Sequence, residues 1–295
     1  MDSDPWGFSF RIVTKKQRSP SRPLTASMTG EFLAEVIAEL FPRVTPYAFT
    51  PADFVFDRER DRVTEREIRI LLDEASKKRS TPGLNGVRYR ILGRSAGVMC
   101  LRLSSLYTAC FEEASFPKQW RRANLVLLEK PGRDTSTPGA YRPIYLLDVE
   151  GKLFERVVAS RIIGQMGADG GRNDLTLNQY GFRAGRSTID ALVRVRDEIK
   201  ETLRRGGVAI DVKNAFNSVP WSAIWDGLVS MSVPDYLVSL TGSFPSERKI
   251  SNEKPDGTTE TADVFCSVPQ GRSSDRFSGI SPTTASSPGP SFPKV

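Results

Sequence analysis

One acidic residue in an apolar stretch is the strongest candidate for chemistry in this sequence. Asp211 lies within residues 208–212, which read VAIDV and follow Gly206 and Gly207. A short β-branched run after glycine predicts a buried strand, where a carboxylate requires a cation or a metal ion as its partner. Carboxylate oxygens bind hard cations such as Mg2+. The alternative, a carboxylate that caps the following turn, is the commoner role for an isolated aspartate in a strand.

The composition restricts the metal chemistry to carboxylates. The 295 residues include no histidine, which excludes histidine-based catalysis and the commonest zinc sites. The three cysteines, Cys100, Cys110 and Cys266, are too few and too far apart for a disulfide framework. We therefore predict reduced thiols in the core.

The charge balance suits a polyanionic partner. Lys and Arg number 42 against 35 Asp and Glu, which gives a net charge of +7 and a pI near 9.4. No apolar run approaches the ~18 to 20 residues of a membrane span, and the N-terminus has no signal-peptide core. We expect an intracellular protein, in the nucleus or cytoplasm, with no membrane partner.

Residues 211–219, DVKNAFNSV, resemble the first catalytic box of reverse transcriptases, in the form used by LINE-type (non-LTR, insect jockey-like) retrotransposons. The resemblance implies that Asp211 and the carbonyl of Val212 bind Mg2+ in a two-metal site with a second pair of carboxylates. It also implies that Phe216 closes over the sugar and rejects a 2′-OH. Two metal ions stabilise the attacking 3′ oxygen and the leaving pyrophosphate, and a ring discriminates by excluded volume.

Basic residues surround a predicted β-hairpin. An apolar strand at residues 125–128 is followed by the turn KPGR and by a second strand that begins YRPI at residues 141–144. A solvated charged hairpin is the alternative explanation. The layout resembles the fingers hairpin of reverse transcriptases, which implies that Lys130 and Arg142 hold the incoming triphosphate, Lys as a point charge and Arg as a bidentate fork.

A glycine- and arginine-rich turn gives a further match. Residues 179–188, QYGFRAGRST, resemble the family's "Q-x-GFR-x-G-R-S-T" box, which implies nucleic-acid contacts by Gln179, Arg183 and Arg186. The alternative is a structural glycine turn with surface arginines.

The helix that follows this box is predicted to begin with a cap formed by Ser187 and Asp190. Arg194 and Arg196 are predicted on its open side. The residues predicted to face inward are Ile189, Leu192, Val193, Ile199 and Leu203.

Four further helices are predicted from caps and apolar periodicity, together with one helix near residues 31–40. Each has an apolar stripe that we expect to lie in the core. The stripes are Ile68, Leu71, Leu72 and Ala75; Met99, Leu103, Leu106 and Cys110; Leu153, Val157, Val158 and Ile162; and Trp221, Ile224, Trp225 and Leu228.

Two segments resemble family boxes with one substitution each. Residues 81–87, TPGLNGV, are similar to "PG-x-DG-I", but Asn85 replaces the usual Asp and puts a charge contact in doubt. Residues 268–271, VPQG, resemble the second palm box with Ser267 in place of its first Gly. That resemblance implies that Gln270 contacts the nucleotide.

The match to the family stops after Gly271. Residues 272–295 are rich in Ser, Pro and Thr, which predicts disorder. One hypothesis is that a nucleotide is missing at the Gly271 codon. Residues 272–284 can be back-translated, with TCT for Ser278, so that the neighbouring frame reads SILGPFLWNISYD, the family's expected continuation. The tail would then be out-of-frame translation.

The predicted fold is α+β, with helices around a small, mostly antiparallel sheet, as in the fingers and partial palm of a right-hand polymerase. Residues 1–60 are predicted as an N-terminal linker region, 61–271 as fingers and partial palm, and 272–295 as a tail.

The resemblance implies RNA-directed DNA synthesis, with an RNA template, a DNA primer and deoxynucleotide triphosphates as partners. The sequence lacks the box with two adjacent aspartates, so we expect this product to be inactive as a polymerase. A non-catalytic nucleic-acid-binding remnant is the alternative, and a chain that does not fold is a third possibility.

Overall fold

The structure of the protein is a computed structural model. The structure describes residues 28–43, 49–50, 53–77, 81–168, 179–181, 183, 185–205, 219–253 and 258–266. Within them, helices surround a small mixed sheet, which confirms the predicted α+β class. No helix in this part of the chain is long and apolar enough to cross a membrane.

The helices of the described chain have the following bounds: α1 Gly30–Leu40, α2 Arg58–Asp61, α3 Glu65–Ser76, α4 Tyr89–Arg94, α5 Ala96–Glu112, α6 Val149–Ala168, α7 Thr188–Arg205, α8 Trp221–Ser230 and α9 Asp235–Ser243. The strands are β1 Arg122–Glu129, β2 Tyr141–Leu146, β3 Lys249–Glu253 and β4 Thr259–Asp263. Short 3-10 turns at Lys118–Arg121 and Pro138–Ala140 precede β1 and β2.

The sheet has the strand order β2-β1-β3-β4. The β1–β2 and β3–β4 pairs are antiparallel, whereas β1 and β3 run parallel. Alternate residues of β1 and β2 are buried, including Leu125, Leu127 and Tyr145, so one face of the sheet packs on the core. The opposite face carries the more exposed side chains.

An aromatic cluster fills the core between the helices. Phe154 of α6 lies 4.8 Å from Tyr107 and 5.3 Å from Phe111, both on α5, between ring centroids. Phe116 and Trp120 pack against the same ring at 5.1 and 5.9 Å. Large rings bury much apolar surface each, so this cluster anchors α5 against α6.

A second core joins α1 to the sheet. Leu33, Val36 and Leu40 are buried against the sheet face that contains Tyr145, and Phe41 meets the Tyr145 ring at 5.7 Å. The helix predicted near residues 31–40 is therefore present as α1, and it contributes to the core of the sheet.

The caps and apolar stripes of most helices agree with the sequence predictions. Thr64 Oγ1 accepts a hydrogen bond from Glu67 N at the start of α3, and Ile68, Leu72 and Ala75 are fully buried. The predicted stripe of α6 is buried, as is most of the stripe of α8. The three cysteines are buried and form no disulfide bond, as predicted.

Leu106 of α5 was expected in the core, and that prediction is wrong because its exposed fraction is 44%. Leu103 and Cys110 are buried as predicted. The large rings Tyr107 and Phe111 define the buried face, which is rotated by about one residue from the predicted stripe.

The inward-facing prediction for α7 is also wrong. Ile189 and Leu192 are 70% and 69% exposed, and Val193 and Ile199 are also exposed. Leu203 lies outside the described side chains. Periodicity predicts that a helix has one apolar face, but burial requires a partner element, and the described part of the chain leaves this face open.

Candidate functional site

The register of the β1–β2 hairpin places the two predicted triphosphate-binding residues on one face. Arg142 is the cross-strand partner of Leu128. Lys130 lies two residues after Leu128. Its backbone N–H donates to the carbonyl of Ala140 at 2.7 Å, so the hydrogen bonding between the two strands continues one residue past the end of β1. Because side chains alternate along a strand, Leu128, Lys130 and Arg142 share the face that points away from the core.

Hydrogen bonds within the hairpin loop fix its shape. Gly132 has φ +72°, a left-handed conformation that suits glycine at this tight turn. Asp134 accepts the Ser136 N–H at 2.9 Å and the Ser136 hydroxyl at 2.8 Å, and these two hydrogen bonds lower the pKa of its carboxyl group. Tyr141 donates its hydroxyl to the carbonyl of Thr135 at 2.7 Å. The cations at the end of the hairpin are thus held by an ordered loop.

The two cations differ in how they are held. Lys130 Nζ donates to the carbonyl of Gly139 at 2.7 Å, and its side chain is half-buried. Arg142 is exposed. Arg133, in the same turn, is a further exposed cation that the sequence predictions did not select, although the run KPGR contains the signal. The acidic residues nearby are Glu129 and Asp134.

A second basic group lies at the start of α7. The guanidinium of Arg186 stacks 5.2 Å from the centroid of the Tyr180 ring. Gln179 Nε2 donates to the carbonyl of Gly181 at 3.4 Å. The predicted cap is confirmed, since Ser187 Oγ accepts the Asp190 N–H, while Asp190 Oδ2 accepts the Ser187 hydroxyl and N–H.

Gln179, Arg183 and Arg186 lie within eight consecutive residues of the chain. Arg183 is half-buried and has an interaction partner. Tyr180 was not predicted as a site residue. Its position between a predicted glutamine and a predicted arginine was the available signal, because an aromatic ring beside a cation can stack on a base.

The turn at residues 81–87 docks on the start of α6. Asn85 donates its backbone N–H to Asp148 Oδ1 and its side-chain amide to Glu150 Oε2, both at 3.0 Å. A Cβ on Gly83 would lie 2.3 Å from Asp148 N, so this close approach requires glycine. An amide at position 85 can donate to these two carboxylates, whereas an Asp would repel them. The substitution from the family pattern therefore replaces a charge with a hydrogen-bond donor.

The remaining predicted site residues, Asp211, Val212, Phe216 and Gln270, lie outside the described residues, as does the predicted strand at residues 208–212. Within the described residues, no group of three or more acidic or cysteine side chains is placed to hold a metal ion. The structure thus places Lys130 and Arg142 on one face of the hairpin and, at the start of α7, stacks Arg186 on Tyr180.

Comparison with known proteins decides the family. Residues 128–274 match the family described as reverse transcriptase (RNA-dependent DNA polymerase). The chain belongs to the reverse transcriptase family. The resemblance inferred from the sequence boxes is confirmed. The matched range of this chain contains Lys130, Arg142 and the basic group at α7.

Several curated relatives are proteins of mobile elements. A 115 kDa protein in the type-1 retrotransposable element R1DM of Drosophila melanogaster is 32% identical over 68% of this chain and 19% of its own length. The Pol polyprotein from the type-1 element R1 of Bradysia coprophila is 28% identical over 75% of this chain and 22% of its own length. The RNA-directed DNA polymerase from the mobile element jockey of Drosophila funebris is 25% identical over 90% of this chain and 31% of its own length. This chain thus spans a fifth to a third of the lengths of these relatives.

Proposed function

We propose that this chain provides the fingers and part of the palm of an RNA-directed DNA polymerase of a non-LTR retrotransposon. The observation that carries the proposal is that the hairpin register places Lys130 and Arg142 on one outward face, inside the range that matches the family. The names of the relatives support the element type.

The hairpin face suits a triphosphate. An ammonium group has three N–H donors, so Lys130 can keep its hydrogen bond to Gly139 and still donate to phosphate oxygens. The exposed guanidinium of Arg142 offers a planar fork that matches two phosphate oxygens. Together the two cations would orient the incoming deoxynucleotide and offset negative charge as pyrophosphate departs.

The metal ions belong to the part of the site outside the described residues. Asp211 and the carbonyl of Val212 are our proposed Mg2+ ligands, and the described residues offer no acidic cluster as an alternative. When bound, divalent ions would stabilise the attacking and leaving oxygens. Phe216 is our proposed sugar gate and Gln270 our proposed nucleotide contact.

Nucleotide binding tests the role of the hairpin. We expect Arg142→Ala and Lys130→Ala each to raise the Kd for dGTP by at least about tenfold, since one charge-assisted hydrogen bond contributes roughly 1.5–3 kcal/mol. Arg102→Ala is the matched control, because Arg102 is an exposed arginine on α5. Equal losses in all three variants would mean nonspecific attraction, and unchanged binding in the two hairpin variants would contradict the proposal.

A second candidate is nucleic-acid binding without catalysis, and the basic group at the start of α7 favours it. The stacked pair of Arg186 and Tyr180 offers a cation and an aromatic ring to a nucleic acid. Arg183 and Arg186, beside Gln179 and the ring of Tyr180, would then contact the backbone of the RNA template and DNA primer.

Primer extension on an RNA template, run beside RNA binding at several salt concentrations, separates the two candidates. Primer extension that is lost in the Asp211→Ala variant would support the polymerase function. RNA binding without extension would support the binding role. In the binding assay we expect Arg186→Ala to reduce the salt dependence of the affinity by about one counterion, with Arg102→Ala as control.

A further inference from the structure

Helix α1 packs against the turn that leads into β2 of the β1–β2 hairpin. The helix lies in the region predicted as an N-terminal linker, yet it contacts the 3-10 turn Pro138–Ala140. Leu33 of α1 and Ala140 of the turn are both buried in the core between α1 and the sheet. The turn is therefore supported by a helix that is distant from it in sequence.

This turn holds Lys130 by two hydrogen bonds. The backbone N–H of Lys130 donates to the carbonyl of Ala140, and its Nζ donates to the carbonyl of Gly139, both at 2.7 Å. Because both acceptors belong to the turn, a shift of the turn moves the backbone and the ammonium group of Lys130 together. The position of this ammonium group on the outward face of the hairpin thus depends on what supports the turn.

An aromatic contact connects α1 to the hairpin. The ring of Phe32 on α1 meets the ring of Tyr141 edge to face, with the centroids 6.0 Å apart. Tyr141 is 4% exposed and directly follows Ala140, and its hydroxyl donates to the carbonyl of Thr135 in the hairpin loop at 2.7 Å. The ring of Tyr141 therefore joins α1 to both the turn and the loop.

Phe32 lies on the core side of the hairpin. Tyr141 and Arg142 are neighbours on β2, so their side chains point to opposite faces of the sheet. Tyr141 is buried against α1, whereas Arg142 is exposed on the outward face. Phe32 is thus on the other side of the sheet from the cations, and its influence on a bound triphosphate must pass through the hairpin.

We propose that Phe32 is a positioning residue for Lys130, because by fixing the ring of Tyr141 it holds the turn that presents the lysine to the triphosphate. This inference rests on the proposed function of the hairpin. A group that is held in place before its ligand arrives binds more tightly than a mobile one, since less conformational freedom is lost on binding. Helix α1 is then part of the nucleotide-binding unit rather than of a linker.

Binding of dGTP to the full chain tests this role. Phe32→Ala removes the ring contact and should raise the Kd for dGTP by about fivefold. Phe32→Leu keeps an apolar side chain against Tyr141 and should restore most of the affinity. The affinity for RNA should stay the same in both variants.

Phe41→Ala is the matched control. Phe41, the residue after α1, makes the same kind of edge contact with Tyr145, at 5.7 Å between centroids and four residues further along β2. We expect this variant to lose stability and to keep the Kd for dGTP of the unaltered chain. If Phe41→Ala weakens dGTP binding as much as Phe32→Ala does, the effect comes from the general packing of α1 and the proposal is overturned.

The Lys130→Ala background shows whether Phe32 acts through the lysine. In that background Phe32→Ala should change the Kd for dGTP by no more than about twofold, because the ammonium group that it positions is already missing. A loss of the same size in both backgrounds would contradict the proposal. So would a Kd that Phe32→Ala leaves unchanged in the otherwise unaltered chain.

Failure of the proposed function gives a different result. If Lys130→Ala leaves the Kd for dGTP unchanged, the function of the hairpin and the role of Phe32 both fail. If Lys130→Ala weakens binding and Phe32→Ala does not, only the role of Phe32 fails.

A milder variant covers the case in which Phe32→Ala does not fold. Tyr141→Phe keeps the ring and removes its hydrogen bond to Thr135. We expect this variant to bind dGTP about threefold more weakly, because the hairpin loop loses one of its attachments. An unchanged Kd for dGTP in the Tyr141→Phe variant would contradict the proposal.

Discussion

The two longest helices of the described chain, α6 and α7, have similar lengths and opposite surroundings. α6 has 20 residues and α7 has 18. Leu153, Val157 and Ile162 of α6 are fully buried, whereas Ile189, Leu192 and Ile199 of α7 are exposed. Both helices have apolar residues at helical spacing. The difference shows that spacing predicts which face is apolar, and that a partner element decides whether that face is buried.

The polar contacts of the two helices differ in the same way. Arg161 of α6 is tied to Glu67 at 3.1 Å and to the carbonyls of Asp61 and Arg62, and it stacks 4.6 Å from the ring of Phe111. The ion pair of α7 between Arg194 and Glu198 joins two exposed side chains one turn apart. Long-range contacts therefore hold α6, whereas the interactions described within α7 are local.

The largest expected effect comes from the same substitution in each helix. Leu153→Ala should lower the free energy of unfolding by about 2–5 kcal/mol, because it opens a cavity in a closed core. Leu192→Ala should change it by no more than about 0.5 kcal/mol. Urea unfolding measures both. A loss above about 2 kcal/mol at Leu192 would break the comparison, since it would mean that the face of α7 is covered in solution.

The next effect concerns the two arginines. Arg161→Ala should lower the free energy of unfolding by about 2–3 kcal/mol, because it leaves Glu67 and two main-chain carbonyls without their partner. Arg194→Ala should lower the free energy of unfolding by about 0.3–0.5 kcal/mol, and this loss should vanish at high salt. The free energy of unfolding at low and high salt tests this contrast. Equal costs for the two variants would contradict it.

The smallest expected effect is the response of α7 to acid. Hydrogen bonds from the hydroxyl and the N–H of Ser187, and the nearby charge of Arg186, lower the pKa of Asp190. A lowered carboxyl pKa contributes stability above the pKa of the unfolded chain, and that stability is lost as the pH falls through the folded value. Acidification below the usual range of an aspartate should therefore fray the start of α7 while α6 stays unchanged.

Amide exchange, corrected for its intrinsic pH dependence, measures this fraying. Asp190→Ala should show the same fraying at neutral pH and no further change on acidification. If the start of α7 in this variant exchanges as slowly as in the unaltered chain, the cap is not what holds it.

The sequence predicted local features well. The apolar run at residues 125–128, the turn KPGR and the strand start YRPI predicted the β1–β2 hairpin, and the Ser187–Asp190 cap followed from spacing alone. These features depend on residues close together in the chain. The positions of Asp211 and Gln270 relative to the hairpin stay predictions, since both residues lie outside the described chain.

Features that depend on distant contacts were not predictable. Arg248 is 1% exposed and stacks about 5 Å from the rings of Tyr145 and Phe244, where burial lowers the pKa of its guanidinium. A charged residue just before a strand normally predicts an exposed position. The contacts of Asn85 with Asp148 and Glu150 likewise join residues more than 60 positions apart.

The central claim is that Lys130 and Arg142 act on one triphosphate. A double-mutant cycle on dGTP binding, with Lys130→Ala, Arg142→Ala and the double variant, tests it most directly. We expect the combined loss in affinity to differ from the sum of the single losses by at least about 0.5 kcal/mol, because both cations contact the same phosphate chain. Two single losses that add within error, or no loss in either variant, would contradict the account.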